Sequence, residues 1–349
     1  MRRVPSFALS AAISSLLALV ACSCLPELVT GAFEPGDLDP PALVSWNVVE
    51  GGALLLRFDE AVGAAPSDFA FDPGRAVAAV ETGGGGLTVT VRPEGSFEAG
   101  AACSITGTVS DDAGNTVRFV LPFTGWNPRV PSLLINELLT EASTTHKDAL
   151  ELLVLSDGNL AGLTVGSGKL SDPSFAWRLP AAEVRTGDLV SLHLKLSGTG
   201  VEADELGEDL ARSGGLDAEP TARDLWYPLD DGALPGANGV AWLRSSPTGP
   251  VLDAAFWCER TSASDTAYDG FGSSALRDAV TELFFAGAWL AAGENPAPED
   301  GVWSAAVTAT RTLARWNDRA DSDCREDWYV TATSGESLGL PNLAPAYAP

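Results

Sequence analysis

A chain of 349 residues with 47 acidic against 21 basic side chains, a formal charge of −26, is too long for one ordinary domain and suits two. So acidic a surface repels phosphate backbones and anionic headgroups, so nucleic acid is excluded as a partner. Two histidines, His146 and His193, are the chain's only imidazoles for base or metal work; neither lies near a Ser or Cys motif, and H-E-x-x-H and C-x-x-C are absent from the mature domains.

Residues 1–21 read as a signal segment. Arg2 and Arg3 are its basic start, Phe7 to Val20 an apolar run too short to span a bilayer, and Leu19-Val20-Ala21-Cys22 a small-residue cleavage site ending in cysteine. That site resembles the lipobox of bacterial lipoproteins. The resemblance implies that Cys22 carries diacylglycerol and anchors the exported chain to a membrane, with Ser23 after it favouring the outer membrane; several acyl chains on one residue make such an anchor stable. Residues 22–40, rich in Pro, Gly and acid, form a tether.

From Pro41 the pattern is all β. Ala53–Phe58, Leu87–Val91, Ser104–Val109 and Thr116–Phe123 read as strands; the glycines 83–86 supply a turn, and Asp111-Asp112-Ala113-Gly114-Asn115 caps its own backbone. The F-D-E-A-V and D-D-A-G-N segments resemble the bacterial immunoglobulin-like module of exported proteins, over residues 41–126. After a short linker, Leu133–Leu138 alternates, and Ala149–Leu155 sets Glu151 among leucines.

The order I-N-E-L, D-x-x-E-L, N-L-x-G-L-x-V across residues 133–165 resembles the opening of the lamin-tail domain, an immunoglobulin-like β-sandwich. The resemblance continues in the strand 187–194, in the hairpin 238–257 with Asp253, and in the closing Asp327-Trp328 and the segment Ser334 to Asn342, SGESLGLPN, close to the family's terminal S-x-G-x-P-N. It implies that residues 131–349 are one sandwich, and that Asn136, Glu137, Glu151, Asp253, Trp328 and Asn342 are its structural signature. Buried in strands, such polar groups need hydrogen bonds, and they tie loops to strand ends. The expected fold is therefore all-β: two immunoglobulin-like sandwiches in tandem, the second carrying an inserted amphipathic helix.

Two insertions enlarge the second domain. Residues 201–231 read as an acidic, irregular loop. Within 261–300, Ser274–Ala291 places Leu276, Val280, Leu283, Phe284 and Ala288 at helical spacing after the N-cap candidates Ser273 and Ser274. Phe284, Phe285 and Trp289 read as core aromatics of that helix. Cys258 and Cys324 flank the larger insertion and are the expected disulfide pair, although spacing does not fix connectivity.

Asp318, Asp321, Asp323 and Asp327 crowd one loop with oxygen ligands that a calcium ion could use. The EF-hand order is not met, and a solvated acidic loop is the commoner meaning of such a run. Gly166-Ser167-Gly168-Lys169 fails the phosphate-loop spacing, because Leu163 stands where the first glycine belongs. Three functional expectations follow. The first is a non-catalytic, lipid-anchored envelope protein that presents its domains to a protein or glycan. The second is a carbohydrate-binding accessory module, for which ten tryptophans are the motive. The third is a carboxylate-dependent hydrolase using Glu137 and Glu151.

Overall fold

The computed structural model describes residues 37–198, 200–229 and 232–349. The signal segment, Cys22 and most of the tether lie outside the described residues. The chain is mostly β-sheet with one α-helix.

Seven strands fill residues 43–124: β1 (Leu43–Val49), β2 (Ala53–Phe58), β3 (Phe69–Asp72), β4 (Val77–Gly83), β5 (Thr88–Pro93), β6 (Ala102–Ser110) and β7 (Thr116–Thr124). They pair as two antiparallel sheets, β1-β2-β5-β4 and β3-β6-β7. Inward residues of both sheets, among them Leu54, Leu56, Val89, Phe71, Ile105 and Phe123, share one core. Alternation drives this arrangement: in β6, Cys103, Ile105 and Val109 point inward while Ala102 and Thr108 face solvent. The β6–β7 turn is self-capped as expected, Asn115 N donating to Asp111 Oδ1 at 2.8 Å and Asn115 Nδ2 to Oδ2 at 2.7 Å. The linker is held down too, with Asn127 Nδ2 donating to the carbonyls of Asn159 (2.7 Å) and Ala161 (3.0 Å).

Residues 133–330 build a second core. Its strands are β8 (Leu133–Leu139), β9 (Ala149–Val154), β10 (Gly158–Asn159), β11 (Thr164–Gly168), β12 (Pro173–Arg178), β13 (Glu183–Val184) and β14 (Leu189–His193). They continue as β15 (Arg223–Trp226), β16 (Gly239–Arg244), β17 (Val251–Cys258), β18 (Val302–Trp303), β19 (Leu313–Arg315) and β20 (Trp328–Val330). A six-stranded sheet runs β15-β14-β9-β8-β19-β20 and a five-stranded one β12-β11-β16-β17-β18, with β10-β13 as a small ribbon. Leu152 and Leu192 of the first sheet share a core with Val165, Val240 and Phe256 of the second.

Both large sheets are also covered on part of their second face, so some strands are buried at consecutive positions instead of alternate ones. Gly239 to Leu243 of β16 are all buried, and helix α1 (Ser274–Phe285) packs on β11 and β16, burying Ala279, Val280 and Leu283. Ala149 to Leu152 of β9 are likewise buried, and there the cover is a segment near the end of the chain, where Leu338 clusters with Leu139 and Ala149.

Two expectations need correction here. The 201–231 insertion is not wholly irregular: β15 within it pairs in parallel with β14, Val190 to His193 matching Arg223 to Trp226. The helix starts where expected, Ser273 Oγ accepting from Leu276 N at 3.2 Å, but it stops at Phe285 and not near Ala291. Gly287 takes a left-handed φ of 71°, and the Gly287 and Ala288 amides donate to the carbonyls of Phe284 and Leu283. That reversal sends Trp289 back into the core at 1% exposure and leaves Phe285 75% exposed, so the helix aromatics divide between core and surface.

Candidate functional site

The I-N-E strand owes its chemistry to a break in register. β8 pairs with β9 so that Ile135 faces Leu152 and Glu137 faces Glu151, with an irregularity between Ile135 and Glu137 that leaves Asn136 over. The extra residue frees the Asn136 carbonyl, which accepts from Asn342 Nδ2 at 3.1 Å. The Asn136 side chain donates in turn to Glu151 Oε1 at 2.6 Å.

Glu137 and Glu151 thus stand opposite one another beneath the segment 337–342, and both are fully buried. That segment acts as a strap. Ser337 gives its amide to Glu137 Oε1 (3.0 Å) and its hydroxyl to Oε2 (2.7 Å), and Gly339 gives its amide to Glu151 Oε2 (2.5 Å). Thr312 Oγ1 adds a donor to Glu137 at 2.5 Å, and Asn342 Nδ2 also reaches the Arg315 carbonyl at 3.0 Å. Burial, followed by the facing Glu137 carboxylate, pushes Glu151 up to about 8; burial raises Glu137 as well, against the donors from Thr312 and Ser337. Four of the six signature residues, Asn136, Glu137, Glu151 and Asn342, therefore form one hydrogen-bonded lock, whose carboxylates are spent on backbone and hydroxyl donors.

Asp253 and Trp328 meet at Arg315. Ile135 N donates to Asp253 Oδ2 at 2.5 Å, and Arg315 Nη2 reaches the same oxygen at 3.1 Å. The guanidinium also lies over the Trp328 ring, 4.7 Å from its centroid. Burial pushes Asp253 up to about 7 against the pull of Arg315.

The four loop aspartates do not converge as a ligand set. Asp321 and Asp323 group with Asp253 instead, and Arg315 Nη1 sits 2.5 Å from Asp321 and 3.6 Å from Asp327. A guanidinium already stands where the carboxylates come closest. Asp327 is committed to its own turn, accepting from Ser322 N (2.8 Å) and Ser322 Oγ (2.7 Å); against the cost of burial, these donors hold it below the usual carboxylate range. Asp318 is exposed and outside the group. The expected disulfide is not formed. Both thiols are free, Cys258 buried at the end of β17 with Sγ 3.1 Å from Asn238 Oδ1, and Cys324 at the loop turn with Sγ 3.0 Å from Ser322 Oγ.

Several partners were not visible from sequence. His193 is buried, its Nε2 2.7 Å from Asp224 Oδ1 and its ring stacked on Trp226 at 3.9 Å, while His146 Nδ1 meets Asp217 Oδ1 at 2.8 Å. Glu205 pins the acidic insertion by accepting the amides of Arg212, Ser213 and Asp224. Among the described tryptophans Trp303 alone is exposed, at 56%. No row of coplanar surface tryptophans is formed.

These observations define a predominantly β protein whose buried polar groups close a two-sheet domain on itself. A family model described as the TP_1001 protein second domain matches residues 131–330, and the chain belongs to that family. An uncharacterized protein of Treponema pallidum (strain Nichols) is 29% identical over 245 residues, 68% of this chain and 60% of its own. The chain thus spans about 60% of the length of the curated relative it matches. Solved structures with partial likeness include the N-terminal part of the bacterial S-layer protein SbsC (17% identity, 43% of this chain and 42% of that one, TM-score 0.25). Dimeric latent PorU from Porphyromonas gingivalis is another (12% identity, 64% and 20%, TM-score 0.21). Likeness at these scores carries no argument about fold or function.

Proposed function

We propose that this is a non-catalytic, lipid-anchored cell-envelope protein that presents two immunoglobulin-like domains, the second of lamin-tail type, to a protein or glycan. The observation that carries the reading is the lock itself. The carboxylates a hydrolase would need, Glu137 and Glu151, are enclosed beneath the strap, and each accepts a backbone amide. A general acid must reach the atom it protonates, and these reach only the chain's own donors. The two-sheet arrangement of each core supports the immunoglobulin-like assignment, and the Leu19-Val20-Ala21-Cys22 site supports the anchor. No helix among the described residues is long and apolar enough to cross a membrane, so in this reading attachment falls to Cys22.

The test of anchoring is a Cys22→Ala variant expressed with radioactive palmitate. It is expected to lose the label and to move to the soluble fraction. Unchanged labelling and unchanged detergent partitioning would refute the anchor.

A further inference from the structure

The edges of the two large sheets in the second domain leave an open cleft of about 910 Å³. β18 forms one margin, and β20 the other. β18 is only two residues long, Val302 turned into the core and Trp303 turned out to solvent. An exposed indole on the wall of a cleft is a flat apolar platform with a polar edge, and leaving it wet forgoes the burial that the other tryptophans of this domain largely obtain.

The charges of the cleft are unevenly satisfied. Glu299 accepts from Ser262 N and Oγ, both at 2.7 Å, and Arg325 is paired with Glu326 at 2.9 Å. Arg311 is different. The residue is half-buried and its guanidinium carbon stands over the Tyr347 ring, 4.4 Å from the centroid. Its Nε reaches Thr308 Oγ1 at 3.3 Å, and among the described residues no carboxylate pairs with it. In a chain of net charge −26 an arginine that no carboxylate among the described residues pairs with, backed by a tyrosine ring, is set for a carboxylate from outside.

A peptide strand would find little to bind here. The β20 edge is already paired with the tail, Tyr347 N donating to Val330 O and Ala332 N to Pro345 O, and β18 is too short to template a ladder. What remains is one stacking surface and one guanidinium.

We infer that the cleft between the β18 and β20 edges binds a carboxylate-bearing sugar residue, its ring stacked on Trp303 and its carboxylate paired with Arg311. The inference rests on the non-catalytic binding role proposed above and names its ligand class. The full-length chain is titrated calorimetrically with tetragalacturonate, a hyaluronan tetrasaccharide, 3′-sialyllactose and N-acetylmuramic acid, each beside its methyl ester. At least one free acid is expected to bind, with its ester about tenfold weaker or worse, a difference worth about 1.4 kcal/mol. Trp303→Ala, at an exposed position that folding does not depend on, should weaken the acid by a similar factor. Arg311→Gln should erase the difference between acid and ester while circular dichroism stays native. Failure of all four acids to bind below about 1 mM, or binding indifferent to Trp303→Ala, overturns the inference. In either case recovery of the probes intact leaves the non-catalytic reading standing, whereas their depolymerisation refutes that reading instead.

Discussion

Replacing Glu151 by glutamine isolates the cost of a buried charge within the lock. In the folded chain Glu151 holds its proton up to about pH 8, against an ordinary value of 4.5. Between those limits the folded state binds a proton that the unfolded state has released, so stability falls as pH rises through the window. One pKa unit corresponds to about 1.4 kcal/mol, which sets a ceiling on the order of 5 kcal/mol, and local relaxation brings the expected loss to about 2–3 kcal/mol. Glutamine reproduces the neutral acid in shape. Its oxygen can accept the Gly339 amide, and a turned Asn136 amide can accept from its nitrogen. Urea unfolding at pH 5, 6.5 and 8 should therefore show the wild type losing stability toward pH 8 and Glu151→Gln losing about 2 kcal/mol less over the same range. Because Asp253 and Asp148 also titrate in this window, the diagnostic quantity is the difference between the two proteins at each pH. A variant with the wild-type slope, or one less stable than wild type at pH 8 by more than about 2 kcal/mol, would refute the reasoning.

Arg315→Leu should cost about 3–5 kcal/mol at pH 8, because it strands the buried Asp253 beside Asp321 and Asp327. The loss should shrink at pH 5, where Asp253, already raised to about 7, takes up its proton; equal losses at both pH values in urea titrations would contradict this account. On the two sides of the helix stop, Trp289→Ala should cost about 3–5 kcal/mol and Phe285→Ser less than about 0.5 kcal/mol, read as shifts in denaturation midpoint.

Local pattern made much of the fold legible. The strands 53–58 and 116–123, the capped turn at Asp111 and the helix start at Ser273 all lie close to where alternation and capping chemistry place them. What stayed hidden depends on distance or on a single residue. The leftover residue at Asn136 is one position of register, which no period reveals, yet it decides which groups meet beneath the strap. β15 escaped because Arg223 and Asp224, both buried, read as part of an acidic surface loop. The aspartate run suggested a cation site of four loop residues, but Asp321 and Asp323 group instead with Asp253, and Arg315, supplied by a strand of the sheet, lies against two of the three. Gly287, whose left-handed φ accompanies the helix stop, is masked in sequence by the apolar residues that follow it.

The strap also sets a timetable. Ser337 reaches back 200 residues to Glu137, and Asn342 reaches back 206 to Asn136. While the chain is being made, β8 and β9 emerge long before their donors do. Until the strap arrives, two facing glutamates have no cover and are better left in water, so the early hairpin has little reason to close. Contacts of such long range slow folding. During synthesis that delay keeps the second domain open until residues 337–342 have emerged.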